Sequence, residues 1–247
     1  MAKSVNYKGP VSYVWRVIAF IVGQVFLTAG ICIAKVSKFG VSAGASFPNA
    51  LNQITNGAIT LGQGMTYFFY FFIACHYLTI FIKKQKWSWL YLFEFAGALI
   101  TGWFTDFNMI WIKPIAESLH PEASIVWQLV FTVLSAITQG LGLAVYIDAD
   151  LFPNPPEAMM MALQMWNPKW TIGNLKIATD CTYVIVSLIL GYIATGVLFS
   201  QDGIWFGTVF LALAVGKVLG FLRPRFAPKL KKLFFGEPPK NEATPAA

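Results

Sequence analysis

The fold is decided by residues 65–82, MTYFFYFFIACHYLTIFI, in which apolar residues lie on every side of a helix. A helix needs about 20 consecutive apolar residues to cross a bilayer. A strand of a membrane β-barrel would instead alternate apolar and polar residues. Residues 183–199 have the same uninterrupted apolar character. The sequence therefore predicts an all-α membrane protein and argues against a barrel.

The composition of the whole chain agrees with a polytopic membrane protein. Of its 247 residues, 57% are hydrophobic and 12% are charged, whereas a soluble domain carries about 25% charged residues. The apolar blocks predict six spanning helices. We place them at 12–35, 63–82, 87–104, 125–147, 172–198 and 204–222.

Two Gly- and Pro-rich breaks interrupt this pattern, one after the first span and one after the fourth. Each break is followed by an apolar run too short to span, at 48–57 and 156–166. Pro48 and Pro156 suit the first turn of a helix, where the missing N–H would have no partner. We expect two half-helices, because irregular backbone at membrane depth must be buried in protein or line a wet cavity. The alternative is that both runs are amphipathic helices on the membrane surface.

The two halves of the chain resemble each other at an offset of about 110 residues. Similar segments are Gly30-Ile-Cys-Ile-Ala34 and Gly140-Leu-Gly-Leu-Ala144, Thr60-Leu-Gly62 and Thr171-Ile-Gly173, and Ala98-Leu-Ile-Thr-Gly102 and Ala212-Leu-Ala-Val-Gly216. Each half would hold three spans, an odd number, so the second half would enter the membrane from the opposite face. We predict two inverted repeats, at 1–113 and 124–222, followed by a basic amphipathic and disordered tail at 223–247.

The positive charges predict the orientation of the chain. Most of the 18 Lys and Arg residues, including those at 83–86 and in the tail, would be cytoplasmic if the N-terminus is inside. The positive-inside rule then predicts a multi-pass membrane protein with both termini in the cytoplasm. The tail would bind anionic lipid at the inner leaflet. Because the charges lie at the edges of apolar blocks, we expect no nucleic-acid binding.

The starts of the two half-helices form the predicted substrate site. Unpaired N–H groups and the positive end of a helix dipole favour an anionic group, so we expect a small solute that is polar and anionic or zwitterionic. The predicted substrate-binding residues are Ser46, Pro48, Asn49, Gln53, Asn154, Pro156 and Gln164. For the amide side chains among them, ordinary hydrogen bonds between packed helices are the alternative.

Ionisable residues within a span are costly unless they are paired or hydrated, so each is a functional candidate. The residues predicted to couple ions are Asp180, Asp148, Asp150 and His76. Asp180 shares a helix face with Lys176, and a structural ion pair between them is the alternative. His76 would otherwise bond to a neighbouring helix. Asp106, at the end of the third span, is expected at the membrane interface.

Enzyme, metal and cofactor motifs are absent from the sequence. It has no G-x-S-x-G, H-E-x-x-H or Walker pattern, and its three Cys and two His residues lack metal-ligand spacing. We therefore predict no enzymatic activity and no cofactor. Inverted repeats with broken helices are typical of secondary transporters, which predicts transport or export by alternating access. A membrane scaffold or accessory subunit without transport activity is the alternative, and a homodimer is left open.

Three segments carry a family resemblance. They are 34–42 with its Gly-Val-Ser break, 97–107 with Gly102-Trp-Phe-Thr-Asp106, and the segment from Asp180 to Thr208 with its Gly-Ile-Trp-Phe-Gly-Thr helix start. These segments resemble patterns of the YczE/YitT-like bacterial integral membrane proteins. The chain departs from them at Ala43, where members often carry Pro, and at Asp180, where they carry Glu. The resemblance implies a polytopic inner-membrane protein of transporter type and names no substrate.

Overall fold

Helices account for nearly all of the residues described by the computed structural model, which are 9–84, 89–149, 151, 154–167, 169–170 and 172–236. No strand occurs in these ranges. The helices are α1 (Pro10–Val36), α2 (Ser46–Ile54), α3 (Leu61–Ile82), α4 (Phe93–Ser118), α5 (Ile125–Ala149), α6 (Pro155–Trp166), α7 (Ile172–Thr195) and α8 (Phe206–Phe235).

Five of these helices, α1, α3, α5, α7 and α8, are long and apolar enough to cross a membrane. The predicted class, an all-α polytopic membrane protein, is confirmed. The remaining predicted span, at 87–104, falls on α4. Helix α4 is 26 residues long and carries Glu94 in its first turn. It packs against both α1 and α3 and so belongs to the same bundle.

Helix α4 ends at Ser118, well beyond the end predicted from the sequence. The polar side chains in this extra length form hydrogen bonds with neighbouring helices. Asp106 accepts a hydrogen bond from Thr60 Oγ1 at 2.6 Å and another from the first turn of α3 at 2.8 Å. Asn108 Nδ2 donates to the carbonyl of Val25 in α1 at 3.1 Å. Polar groups that are paired inside the bundle do not end a helix. Asp106 therefore caps the start of α3, and its expected position at the membrane interface stays a prediction.

Helix α8 also runs past its predicted span, into the basic segment. Phe234 and Phe235 at its end are buried in a cluster with Phe20 and Tyr146. Burying one phenylalanine side chain stabilises a protein by about 1.5–3 kcal/mol, which holds the amphipathic part of the tail against α1 and α5. The predicted disordered end, at 237–247, lies outside the described residues.

Helices α1 and α5 cross at short distance because glycines lie in their contact. A Cβ atom on Gly30 would be 2.7 Å from the backbone nitrogen of Gln139. One on Gly23 would be 2.7 Å from the backbone nitrogen of Tyr146. Side chains cannot be accommodated at such distances, as in other small-residue contacts of membrane helices. The earlier glycine of α1 meets the later residue of α5, so the two helices run antiparallel.

The short helices α2 and α6 each lie against long helices of the other half of the chain. Helix α2 packs on α7 and α3, while α6 packs on α3 and α7. Aromatic side chains hold the first of these contacts: the ring of Phe68 in α3 stacks on Phe47 at 5.0 Å and meets the edge of Tyr183 at 5.0 Å. Both short helices are therefore part of the core.

Candidate functional site

The first break enters the bundle and reaches the middle of α5. Ser42, just before α2, donates a hydrogen bond from Oγ to Oε1 of Gln139 at 3.0 Å. The Nε2 of Gln139 donates to Ser135 Oγ at 2.8 Å, and that hydroxyl donates to the carbonyl of Gly30 at 2.8 Å. All three polar side chains are buried. This chain of bonds fixes the backbone of the break against α1 and α5.

The second break makes the corresponding contact with the middle of α1. Asn154, the N-cap residue of α6, accepts a hydrogen bond at Oδ1 from Gln24 Nε2 at 2.9 Å. The Oε1 of Gln24 accepts from Thr101 Oγ1 of α4 at 3.1 Å. These side chains are also buried. A buried polar group left without a partner costs about 1–3 kcal/mol, so these bonds hold the start of α6 at mid-height in the bundle.

The two short helices run from mid-height toward opposite ends of the bundle. Lys35, at the end of α1, donates a hydrogen bond to Asn49 of α2. Leu61, the first residue of α3, lines a cavity together with Lys35, so α3 starts at this end. Lys83 follows the other end of α3, and its Nζ lies 5.0 Å from the ring of Trp166, the last residue of α6. Whether the two short helices dip into a membrane as half-helices or lie at its surface stays a prediction.

A cavity of about 580 Å³ lies between the two breaks, and we call it the central cavity. The first break contributes residues 42–44 to its lining, and the second contributes Asn154 and Pro156. Helices α1, α3, α4, α5, α7 and α8 form the other walls, with Asp180 on α7 and Lys217 on α8. Ligand sites in proteins measure about 300–1,000 Å³ and combine apolar walls with a few polar groups. The central cavity has the size and lining of a site for a small molecule.

Only part of the predicted substrate site reaches the central cavity. Asn154 and Pro156 line it, whereas Ser46, Pro48, Asn49, Gln53 and Gln164 do not. The amides of Asn49 and Gln53 donate to the carbonyl of Asp202 at 2.8 and 3.2 Å. Gln164 donates to the carbonyl of Trp170 at 3.0 Å. Both acceptors lie in connecting segments between helices, and a role of these three residues in binding a solute stays a prediction.

The remaining residues of the first half-helix have structural contacts of their own. Ser46 Oγ donates to the carbonyl of Ala43 at 2.7 Å and accepts from Ser187 Oγ of α7 at 3.0 Å. Pro48 lies against Gly64 of α3, where an added Cβ would be 3.0 Å from the proline carbonyl oxygen. The first break instead presents residues 42–44 to the cavity, because its irregular backbone reaches mid-height before α2 begins.

The predicted ion-coupling residues are in three different surroundings. Asp180 lines the central cavity. Asp148 is buried at the end of α5 and pairs with Arg223 Nη2 of α8 at 3.1 Å. Asp150 lies outside the described residues. His76 is buried between α3 and α4, away from the lining of the cavity.

His76 has an acidic partner that the sequence did not identify. Its Nδ1 lies 3.0 Å from both carboxylate oxygens of Glu94 and is hydrogen bonded to Oε2. The side chain of Glu94 is 1% exposed, and its Oε1 has no other hydrogen-bond partner. A buried ionisable residue persists in a bundle only when it is paired. This pair therefore links α3 to α4 within the apolar interior.

A second cavity, of about 600 Å³, lies at the end of the bundle where α1 ends. It is lined by charges of both signs, which include the pair of Lys38 Nζ and Asp202 Oδ1 at 2.5 Å. Glu122 at its rim bonds to its own backbone N–H and lies 3.1 Å from His120, and both interactions lower the pKa of its carboxyl. Within the described ranges, no group of three His, Cys, Asp or Glu residues is placed to hold a metal ion.

Sequence reasoning missed the residues that position both breaks. Gln24 and Gln139 carry no charge and belong to no motif, and Thr101 is marked only as part of the repeat segment 98–102, so nothing in the sequence distinguished them as residues that position the breaks. A polar amide within an apolar span is the signal that could have found the two glutamines, because it needs a partner at membrane depth. Their partners are visible only once α1 and α5 are placed beside the breaks.

Comparison with known proteins gives one match. The model of a family of unknown function, DUF6198, matches residues 14–224. No curated protein and no solved structure matches the chain.

Proposed function

We propose that this chain, which belongs to the DUF6198 family of unknown function, is a secondary transporter that moves or exports a small solute by alternating access. The single observation that carries the proposal is the central cavity between two helix breaks. Broken helices that meet at mid-height beside a cavity are the usual substrate sites of secondary transporters. The solute would have a polar, anionic or zwitterionic group that meets the polar part of the cavity lining.

The contacts between helices support the proposed inverted repeats at 1–113 and 124–222. Helix α1 packs on α4 as α5 packs on α8, and α2 packs on α7 as α6 packs on α3. The two glutamine contacts correspond in the same way, since Gln24 of α1 holds Asn154 and Gln139 of α5 holds Ser42. Two repeats that exchange their arrangements would open one cavity to each side of the membrane in turn.

We assign ion coupling to Asp180, because among the predicted coupling residues it is the one whose described position lines the central cavity. Asp148 and His76 are paired with Arg223 and Glu94 away from that lining. A carboxylate that faces a cavity can exchange a proton or bind a cation as the cavity opens. The alternative, a structural pair of Asp180 with Lys176, predicts that removing the charge leaves coupling unchanged.

The location of the protein follows the positive-inside rule in this proposal. The protein would lie in the bacterial inner membrane with both termini in the cytoplasm and the basic segment of α8 on anionic lipid. Arg225, Lys229, Lys231 and Lys232 of that segment are exposed, as this contact requires. The resemblance to the YczE/YitT-like proteins points to the same kind of membrane protein and stays a prediction.

Alternating access can be tested without knowing the solute. Cys32, Cys75 and Cys181 are replaced by alanine, and Gly44→Cys is introduced in the cavity lining, where an added Cβ would meet nothing within 4 Å. A membrane-impermeant thiol reagent is then applied to right-side-out and to inside-out vesicles. Gly220→Cys is the control, because it has equal space on α8 but lies outside the lining.

If the protein is a transporter, Gly44→Cys should react with the reagent from both sides of the membrane. A proton or sodium gradient should shift the ratio of the reaction rates in the two kinds of vesicle. Gly220→Cys should react slowly from either side, since a thiol in lipid is neither ionised nor reached by the reagent. A scaffold or accessory subunit predicts reaction of Gly44→Cys from one side or from neither, and that result would refute transport.

A further inference from the structure

Helices α7 and α8 both line the central cavity, yet in the described residues they do not pack along each other. Helix α7 packs on α2 and α6, while α8 packs on α5 and α1. The corresponding helices of the first half, α3 and α4, are packed together. Only 11% of the apolar window of α7 and 17% of that of α8 are buried, compared with 61% for α1. The cavity therefore lies behind a gap between two loosely packed spans.

The mouth of the cavity is at this gap. Ala212, Leu213, Gly216 and Lys217 of α8 line the cavity and are also exposed, Leu213 to 65%. Residues that both line a cavity and are exposed mark its opening. These four residues lie in a helix long and apolar enough to span a membrane, several turns from its start at Phe206. The opening is thus on the side of the bundle that faces the bilayer core.

The surface around the mouth is apolar. Val209 and Leu213 of α8, which are one helical turn apart on the face that lines the cavity, are both exposed. Soluble surfaces rarely carry such continuous apolar patches, whereas acyl chains of lipid cover them readily. A solute that reaches the cavity through this gap would come from the hydrocarbon region and would itself need an apolar part.

The lining of the central cavity combines apolar and charged residues. Its walls include Leu27, Ile31, Phe68 and Phe69, which suit an acyl chain. Lys217 stands at the mouth, and it forms no hydrogen bond or ion pair with the described part of the chain. A lone ammonium group at membrane depth is costly, and an acidic head group would neutralise it.

We propose that the solute is an amphiphile with an acyl chain and an acidic head group, and that it enters the central cavity laterally between α7 and α8. The acyl chain would lie against the apolar walls, and the acid would pair with Lys217. This inference names the substrate class of the proposed transporter and depends on it for movement of the solute. Binding itself can be measured without transport.

The experiment uses the full-length protein in lipid nanodiscs with a photoreactive long-chain fatty acid as probe. Cross-links should map to the lining residues of α7 and α8, and an unlabelled long-chain fatty acid should compete whereas acetate should not. Gly216→Trp should reduce labelling about tenfold, equivalent to about 1.4 kcal/mol, because it fills the mouth. Gly220→Trp is the matched control, since both glycines have free space on α8 and Gly220 is outside the lining.

The role of Lys217 has its own comparison. Lys217→Gln should weaken labelling by the fatty acid several-fold and leave labelling by its methyl ester unchanged. The same substitution at Lys229, which is exposed on the basic segment of the same helix, should affect neither probe. If Gly216→Trp does not yield a monodisperse protein, Leu213→Trp blocks the same mouth from an exposed position.

Three results would overturn the proposal. The first is labelling that is spread evenly over all lipid-facing helices and is unaffected by Gly216→Trp. The second is competition by acetate that is as strong as competition by the long-chain acid. The third, seen with a protein cross-linker, is a link between two copies across α8, which would show that a dimer closes the mouth. The thiol test of alternating access does not use this probe. Two-sided access without acyl-chain binding would therefore reject the amphiphile and keep the transporter, while binding without two-sided access would reject the transporter.

Discussion

Replacing Glu94 by leucine is expected to lower the free energy of unfolding by about 1–3 kcal/mol, the cost of leaving a buried hydrogen-bonding group without its partner. The Glu94 side chain is 1% exposed, and both of its oxygens lie 3.0 Å from Nδ1 of His76. With the carboxylate removed, the buried imidazole loses that partner on α4. His76→Leu should cost a similar amount, because it leaves a carboxylate that has no other hydrogen-bond partner at Oε1.

The double substitution decides whether the two side chains act as a pair. Two apolar residues of similar volume leave no buried polar group without a partner, so the double variant should be more stable than either single variant, with a coupling free energy of about 0.5–3 kcal/mol. Glu117→Leu is the control on the same helix. Its carboxylate is exposed and lies 3.7 Å from Lys113, and an exposed helical pair of this spacing contributes about 0.5 kcal/mol or less.

The assay is reversible unfolding of the purified protein in detergent micelles by increasing amounts of denaturing detergent, followed by circular dichroism. Unfolding free energies of the wild type, both single variants and the double variant form one thermodynamic cycle. If the two single effects simply add, His76 and Glu94 do not interact in the folded protein. Single effects no larger than that of Glu117→Leu would show that the pair is not buried as the structure places it.

Three further predictions concern the breaks and the cavity. Gln24→Leu should release the start of α6, which hydrogen exchange would detect as faster exchange of the backbone amides at 157–160, and unchanged rates there would contradict the bond to Asn154. Gly30→Val should destabilise the protein by more than about 2 kcal/mol in the same unfolding assay, because its Cβ would meet Gln139, whereas Gly220→Val should have little effect. Asp180→Asn, made in the Gly44→Cys background, should abolish the shift in thiol reactivity caused by an ion gradient. A shift that persists would make Asp180 structural.

The helices and breaks of this fold were predictable because each has a local cause. Continuous apolar blocks predict the spans, and Pro48 and Pro156 predict where the short helices begin; the structure has α2 at Ser46–Ile54 and α6 at Pro155–Trp166. The length of α4 was not predictable in the same way. Asp106 marks a membrane surface if only the local sequence is considered, and only the packing of α3 on α4 shows that it caps a neighbouring helix.

The candidate site was less predictable, because it depends on contacts between distant residues. Glu94 and His76 are on separate helices, and their pairing requires the register of α3 against α4. Gln24 and Gln139 gain their roles from the depth that each break reaches. The dipole argument led to the first turn of α2, but the cavity lies on the side of the break that precedes it. Sequence periodicity gives the helices and not their rotation about their axes.

The proposed repeats differ at one matched position, and this difference connects the lateral mouth to alternating access. Gly102 of α4 and Gly216 of α8 would occupy equivalent places in the two proposed repeats. A Cβ on Gly102 would collide with Thr66 of α3, whereas a Cβ on Gly216 would meet nothing within 4 Å. An exchange of arrangements would bring Gly216 against α7 as Gly102 now lies against α3, which would close the gap beside the cavity. In the present arrangement a side chain at Gly216 would have free space. In the proposed closed arrangement α7 and α8 would cross at this position, and the crossing would need a small residue.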